Sequence, residues 1–243
     1  MANDLFSKWL KLSTQDEHVA VWTEDPGARA SGVKVIRKLL GEHFVGEATI
    51  LQAGGYTKAA EVIANSLPAD KRTRSGDLGE LLATEYVDAQ TEFIVPIRKL
   101  RWKSDRQMPM HGNDVVAMDP TQTPVRVLKG ECKSRAALGP AVVKEAADGL
   151  DKDGGRPNPS TLAFITKRLY EENRDAEADL YRDLQCKGAI TPKQVTHLIF
   201  CLCGNDPQAH LKAAPKAKRA GIRRRTAAIV INDHGAFIKK VFS

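Results

Sequence analysis

The sequence predicts an α/β fold on a mixed sheet. Three observations carry that reading. An amphipathic helical pattern over 75–90 is followed by three strand-like runs within 92–135. Two further helical patterns occupy 139–150 and the stretch after Ser160. Two apolar runs, 194–204 and 226–233, then have the length and β-branched content of buried strands.

Taken in order, residues 1–70 read as a mostly helical, irregular extension. It holds a loop at "EDPGARASG" (24–32) and a short amphipathic helix, "YTKAAEVIANSLP" (56–68), stopped by Pro68. Residues 71–243 read as the core. In "SGDLGELLATEYVDAQ" (75–90), Ser75 is a candidate cap, and Leu78, Leu81, Leu82, Tyr86 and Ala89 form a helical stripe. Glu80 lies off that stripe, on a second face with Gly76, Ala83, Thr84 and Val87. That face is small enough for another element to pack there and bring Glu80 inside. Burying its charge alone is costly, so the position asks for a partner; the bland alternative is a solvated or salt-bridged acid.

"EFIVPIRKLRWK" (92–103) alternates as a strand, with Pro96 and a phase slip at Arg98–Lys99 marking it as an edge or bulged one. "DVVAMD" (114–119) and "PVRVLKGECKSR" (124–135) are second and third strands joined by a turn. Pro140 opens a helix over 139–150, with Val143, Ala146, Ala147 and Leu150 on one face. Ser160 is placed as the cap of a long helix carrying Leu162, Ile165, Leu169, Ala176 and Leu180. "QVTHLIFCLCG" (194–204) is a fully buried strand and "TAAIVIND" (226–233) another.

The chain has 243 residues, 42% hydrophobic and 28% charged, which is ordinary for a globular protein. It shows no apolar run of the roughly 20 residues that a membrane helix needs, and no secretory leader pattern at its start. The expectation is a cytoplasmic protein. Cys132, Cys186, Cys201 and Cys203 form no zinc-like spacing, and Cys201 and Cys203 read as buried strand residues.

The net charge of +7 is concentrated. Lys212, Lys216, Lys218, Arg219, Arg223, Arg224 and Arg225 fall within 212–225 with no acid among them; without these seven, the 37 Lys and Arg fall to 30, matching the 30 Asp and Glu. The expectation is a basic loop facing a polyanion or an acidic partner, against the alternative of a solvated linker. It contains no aromatic residue to stack on bases.

Chemistry concentrates at "LKGECKSR" (128–135). Strand side chains alternate, so Lys129, Glu131 and Lys133 share a face. If the strands at 114–119 and 124–135 pair, Asp114, Glu131 and Lys133 converge at one rim of the sheet. Two carboxylates there suit Mg²⁺, with Mn²⁺ as the alternative ion. A lysine beside them can orient or activate water, or offset charge on a phosphate. Gly112 would permit close backbone approach at the metal. A solvated K-x-E-x-K face is the competing reading.

"GELLATEYV", "HGNDVVAMD" and "GECKSR", in this order and spacing, resemble the PD-(D/E)XK nuclease superfamily. The resemblance implies a restriction-endonuclease-like core, a mixed sheet flanked by helices, and an acid, acid-x-lysine triad that hydrolyses phosphodiesters with Mg²⁺. Glu80 matches the glutamate that the first core helix contributes in that superfamily, as an auxiliary ligand or water-orienting acid. His111-Gly112-Asn113 stands where its members usually have a proline before the aspartate. More narrowly, "RSGDLGELL", "KLRWK…HGND", "LKGECKSR" and "STLAFITKRLYEE" resemble the HamA family, nuclease subunits of the bacterial Hachiman anti-phage system, over roughly residues 70–185. That likeness implies DNA as substrate and a HamB-like superfamily 2 helicase as partner. The alternatives are a non-catalytic module that binds nucleic acid or a helicase, and a sequence-specific restriction enzyme of the same fold.

Overall fold

The computed structural model describes residues 2–108, 110–186 and 188–243, with the side chains of 2–4 set aside. The chain runs α1 (Ala2–Lys8), β1 (Leu10–Gln15), β2 (Val19–Glu24), α2 (Arg29–Phe44), α3 (Glu47–Gln52), α4 (Ala60–Ser66), α5 (Lys71–Gln90), β3 (Val115–Asp119), β4 (Arg126–Arg135), α6 (Pro140–Asp151), α7 (Pro159–Glu171), α8 (Asp175–Asp183), β5 (Val195–Cys203), α9 (Gln208–Lys212), β6 (Arg223–Val230) and α10 (His234–Val241). The strands form one six-stranded sheet in the order β1-β2-β6-β5-β4-β3. The four central strands, β2, β6, β5 and β4, are mutually parallel, and β1 and β3 run antiparallel at the edges. The fold is therefore α/β with a mixed sheet between helical layers.

Burial explains the layering. Every residue of β5 is buried, as a central strand covered on both faces requires. On one face, Leu128, Leu198, Phe200, Ala227 and Ile229 meet apolar residues of α1, α2, α5 and α10. On the other, Ile199, Cys201, Cys203 and Ala228 pack on α6 and α9, while Val116, Met118, Val127 and Val195 pack on α7 and α8. Gly79 lets α5 lie close on β4: a Cβ there would stand 2.8 Å from Cys132 Sγ.

Several expectations change. Residues 1–70 are not merely a helical extension, because β1 and β2 belong to the common sheet and β2 pairs in parallel with β6 from Val19↔Thr226 to Thr23↔Val230. Short strands that take their partner some 200 residues away leave only a weak local pattern. The run 92–103 is not a strand: Ile94 makes an isolated bridge to Met118, and Lys99–Trp102 turn into a 3-10 helix. Pro96 supplies no N–H to a ladder. Asp70, not Ser75, caps α5 by accepting from the Arg72 and Thr73 amides. Asn158, not Ser160, caps α7. The long helix breaks into α7 and α8 around Asn173, which has φ +57°, and Leu180 is exposed. Finally, β6 begins at Arg223, so three arginines assigned to a loop lie on a strand.

Candidate active site

Register brings the central residues together. Val115 pairs with Gly130 in the antiparallel β3–β4 ladder, so Asp114, one step earlier, falls opposite Glu131. Asp114 Oδ2 accepts a 2.7 Å hydrogen bond from the Cys132 amide, which ties the aspartate to β4. Glu131 and Lys133 project from β4 toward α6, where Lys133 Nζ lies 3.1 Å from Glu131 Oε1 and 3.0 Å from Glu145 Oε1. Gly149 makes room for this arrangement, since a Cβ there would stand 3.2 Å from the Glu131 carboxyl carbon. Lys129, on the same strand face, is not solvated: it is fully buried and donates to the carbonyls of Leu150 and Lys152 at the end of α6. These two bonds anchor the end of α6, and burial pushes the Lys129 pKa down to about 8.

The turn before Asp114 is built around Asn113. Its amide donates to Thr161 Oγ1, its side-chain oxygen accepts from the Asn158 amide, and its carbonyl accepts from Lys99 Nζ at 2.7 Å. Gly112, at φ +96°, is required by that packing: a Cβ would lie 2.2 Å from Thr161 Oγ1. The close approach seen at Gly112 is thus to α7. Asn113, Lys99, Glu145 and Gly149 were not singled out in the sequence. Only tertiary contact distinguishes them from ordinary turn, helix and surface residues.

Glu80 reaches the same end of the sheet from α5. Its Oε2 is buried without a hydrogen bond, and the nearest cation, Lys99 Nζ, is 3.4 Å away. Burial pushes its pKa up to about 7, the charges of Asp114 and Asp77 add to the rise, and Lys99 opposes it. Glu131 is also raised, first by burial and then by Asp114, with Lys133 opposing. For Lys133, burial works against the ammonium, but Glu145 and Glu131 outweigh it and raise the pKa. Among the described residues, no group of three or more His, Cys, Asp or Glu side chains is arranged to hold a metal ion, so Asp114, Glu131 and Glu80 do not form a ready three-ligand cage. The rim does fit Mg²⁺ in the mode that uses one or two carboxylates and completes its shell with water and phosphate. Two mutually repelling carboxylates and a buried orphan oxygen are what a cation there would relieve.

A profile of the HamA family matches residues 3–243. The chain belongs to the HamA family. Among curated relatives, it is 26% identical over 236 residues to Hachiman protein HamA of Bacillus cereus, covering 95% of this chain and 80% of that one. The family match spans β1 and β2 as well as the rim, in keeping with one continuous sheet.

In this HamA-family chain the basic segment is not one free loop. The Arg224 side chain is nearly covered, pairs with Asp151 at 2.7 Å, and donates to the Ala147 and Pro215 carbonyls. It also lies 3.1 Å from His197 Nδ1. Arg225 makes two hydrogen bonds to Glu92. Lys218 reaches Asp148 at 3.1 Å. Lys212, Lys216, Arg219 and Arg223 remain around a cavity of about 420 Å³ lined also by His18, Pro215 and Gly221. No helix among the described residues is long and apolar enough to cross a membrane.

Proposed function

We propose that this HamA-family chain is a metal-dependent deoxyribonuclease that hydrolyses phosphodiester bonds, and that it serves as the nuclease effector of an anti-phage defence complex with a HamB-like helicase. The observation that carries the reading is that Asp114 falls opposite Glu131 by ladder register, with Lys133 Nζ 3.1 Å from Glu131 Oε1 on the same strand. Family membership supports the defence role and a partner protein. The PD-(D/E)XK resemblance is consistent with a mixed sheet whose β3–β4 hairpin carries the acids.

In this reading Asp114 and Glu131 hold Mg²⁺ or Mn²⁺. When bound, the ion supplies Lewis-acid stabilisation of a phosphate oxygen and acidifies water. Lys133, kept cationic by Glu145 and Glu131, donates a hydrogen bond to the attacking water or to a phosphate oxygen rather than accepting a proton. Glu80, with its raised pKa, orients water or exchanges a proton near neutrality. No side chain needs to form a covalent bond to phosphate. Lys212, Lys216, Arg219 and Arg223 attract the strand by charge.

The test is cleavage of supercoiled plasmid by the purified chain, alone and with the helicase, in Mg²⁺ and in chelator. Metal-dependent cutting that Asp114→Asn abolishes is expected. If the folded protein never cuts under any of these conditions, the chain is a non-catalytic binding module.

A further inference from the structure

Beside the rim lies a cavity of about 420 Å³ that the proposed chemistry does not use. Its walls include Trp102, Met108, Met110, Phe164, His111 and Lys99. Lys99, Thr161 and Phe164 also line the narrow cleft that reaches Asn113 and Asp114, so cavity and rim share a wall. The volume lies within the range of about 300–1,000 Å³ typical of small-ligand sites. A larger cavity of about 530 Å³, lined by Lys71, Arg74 and Lys239, touches none of the rim residues.

The lining has two chemistries. Trp102 and Phe164 meet edge to face, their centroids 6.2 Å apart, and both stay only half-buried. The Arg168 guanidinium stacks near both rings, 5.6 Å from the Trp102 centroid and 5.2 Å from that of Phe164, which helps to hold them in place. Met108 is exposed at the margin, with more than half its surface open. Against these apolar surfaces stand Ser104, Ser160, Thr161 and His111; Lys103 lines the wall too, its ammonium held by Asp77 at 3.0 and 2.8 Å. A flat ring with polar edges, attached to an anion that reaches toward the Lys99 ammonium, matches this set.

We propose that the cavity takes one unstacked nucleobase next to the phosphate at the rim, so that the chain grips single-stranded or frayed nucleic acid at this point. The inference rests on the nuclease reading for the direction of the strand, but the binding it describes does not depend on turnover. The basic segment has no aromatic residue, so stacking must come from elsewhere, and Trp102 and Phe164 supply it. Because every base has a π-face, the grip is tolerant of sequence. It requires an unpaired base, since a base inside a duplex cannot enter.

The experiment compares binding of a fluorescein-labelled (dT)8 single strand with that of a hairpin duplex of equal phosphate count, by anisotropy in chelator at one fixed salt. The full chain is used as wild type, Trp102→Leu and Phe164→Leu, with thermal midpoints measured in parallel. The single strand is expected to bind more tightly. Either substitution should weaken single-strand binding by between about fivefold and about 150-fold, the range for loss of one base stack, and leave duplex binding unchanged. Met108→Ser, at the exposed margin, is the variant that keeps the answer readable if the aromatic variants unfold, and it should reduce the preference in the same direction. Equal affinity for the two ligands in wild type, or substitutions in folded variants that weaken both equally, overturns the base site. The nuclease reading fails separately: a single-strand preference that the cavity variants remove, without metal-dependent cutting, retains the cavity and removes the catalysis, whereas cutting without such a preference does the reverse.

Discussion

Glu80 sits where water cannot fully solvate its charge, and its pKa rises from 4.5 to about 7 for that reason first. A raised carboxyl pKa means that the folded state holds the proton more tightly than the unfolded chain. Stability contributed by neutral Glu80 is therefore present at pH 5 and is lost as pH rises toward and through 7. The full difference is on the order of 3 kcal/mol. Glu80→Gln should raise the thermal midpoint at pH 8 relative to wild type and change it little at pH 5. An equal shift at both values would show that the carboxyl is not held protonated by the fold. In the cleavage assay Glu80→Gln should cost less than Asp114→Asn, and an unchanged rate and Mg²⁺ midpoint would make Glu80 purely structural. Glu131→Ala and Lys133→Ala should each abolish cleavage while moving stability by about 1 kcal/mol or less, because both lie at a partly exposed rim. A folded double variant that still cuts would remove the mechanism.

At the scale of elements, β6 divides the basic segment by environment. Arg224, on β6, is locked to the end of α6 by Asp151, while the adjacent Arg223, on the opposite face, is exposed. Removing Arg224 leaves Asp151 buried without its partner, so Arg224→Ala should destabilise by about 3–5 kcal/mol. Arg223→Ala should be near neutral in urea unfolding. If the order is reversed, the strand assignment is wrong. With Lys218, Arg224 and Arg225 engaged by acids, four charges remain for phosphate, so the log–log salt slope on duplex DNA should be about −3.6 rather than the roughly −6 expected if all seven took part. A slope near −6 would mean that DNA displaces those ion pairs. If instead neutralising Lys212, Lys216, Arg219 and Arg223 leaves DNA affinity intact and releases the helicase, the segment is a protein-docking element. The fit of α6 over β4 has a similar consequence: Gly149→Ala crowds the Glu131 carboxyl and should lower activity with little loss of stability.

For the whole molecule, β1 and β2 complete a sheet that the rim-bearing strands begin at the other edge. Leu5, Phe6, Trp9 and Leu10 are buried in the core shared with α5 and α10, and Trp9 stacks on Phe237 at 5.3 Å. Deleting residues 1–24 would uncover the β6 edge and this apolar surface together, which favours aggregation. The shortened chain should lose cooperative unfolding, measured by circular dichroism on heating. A truncated chain that melts at the wild-type midpoint would show that the hairpin is an accessory. The buried network linking α2 to α5, His43 with Glu85 at 2.8 Å and Arg98 bridging Glu85 and Asp88, points to the same interdependence.

Asp114, Glu131 and Lys133 were legible in the sequence because their relation is local: two strands, one turn, and a side-chain period of two decide which face each presents and that they meet. The buried strand β5 and the Pro140 start and apolar face of α6 were legible for the same reason, whereas the helix face of Glu80 left a packed and a solvated acid both open until its neighbours were known. Other features depended on partners far along the chain. Arg225 is held by Glu92 across 133 residues and Arg224 by Asp151 across 73, so no local pattern could mark them as strand residues already spoken for. The strand-like alternation at 92–103 failed because a strand needs a neighbour to accept its hydrogen bonds, and only Ile94 finds one. The sequence by itself determined which charged residues meet at the rim, since covalent order and backbone periodicity act over a few residues. Tertiary structure decided which strands are neighbours, which cations are neutralised and which carboxyl loses water, since burial and Coulomb energy depend on distance in space.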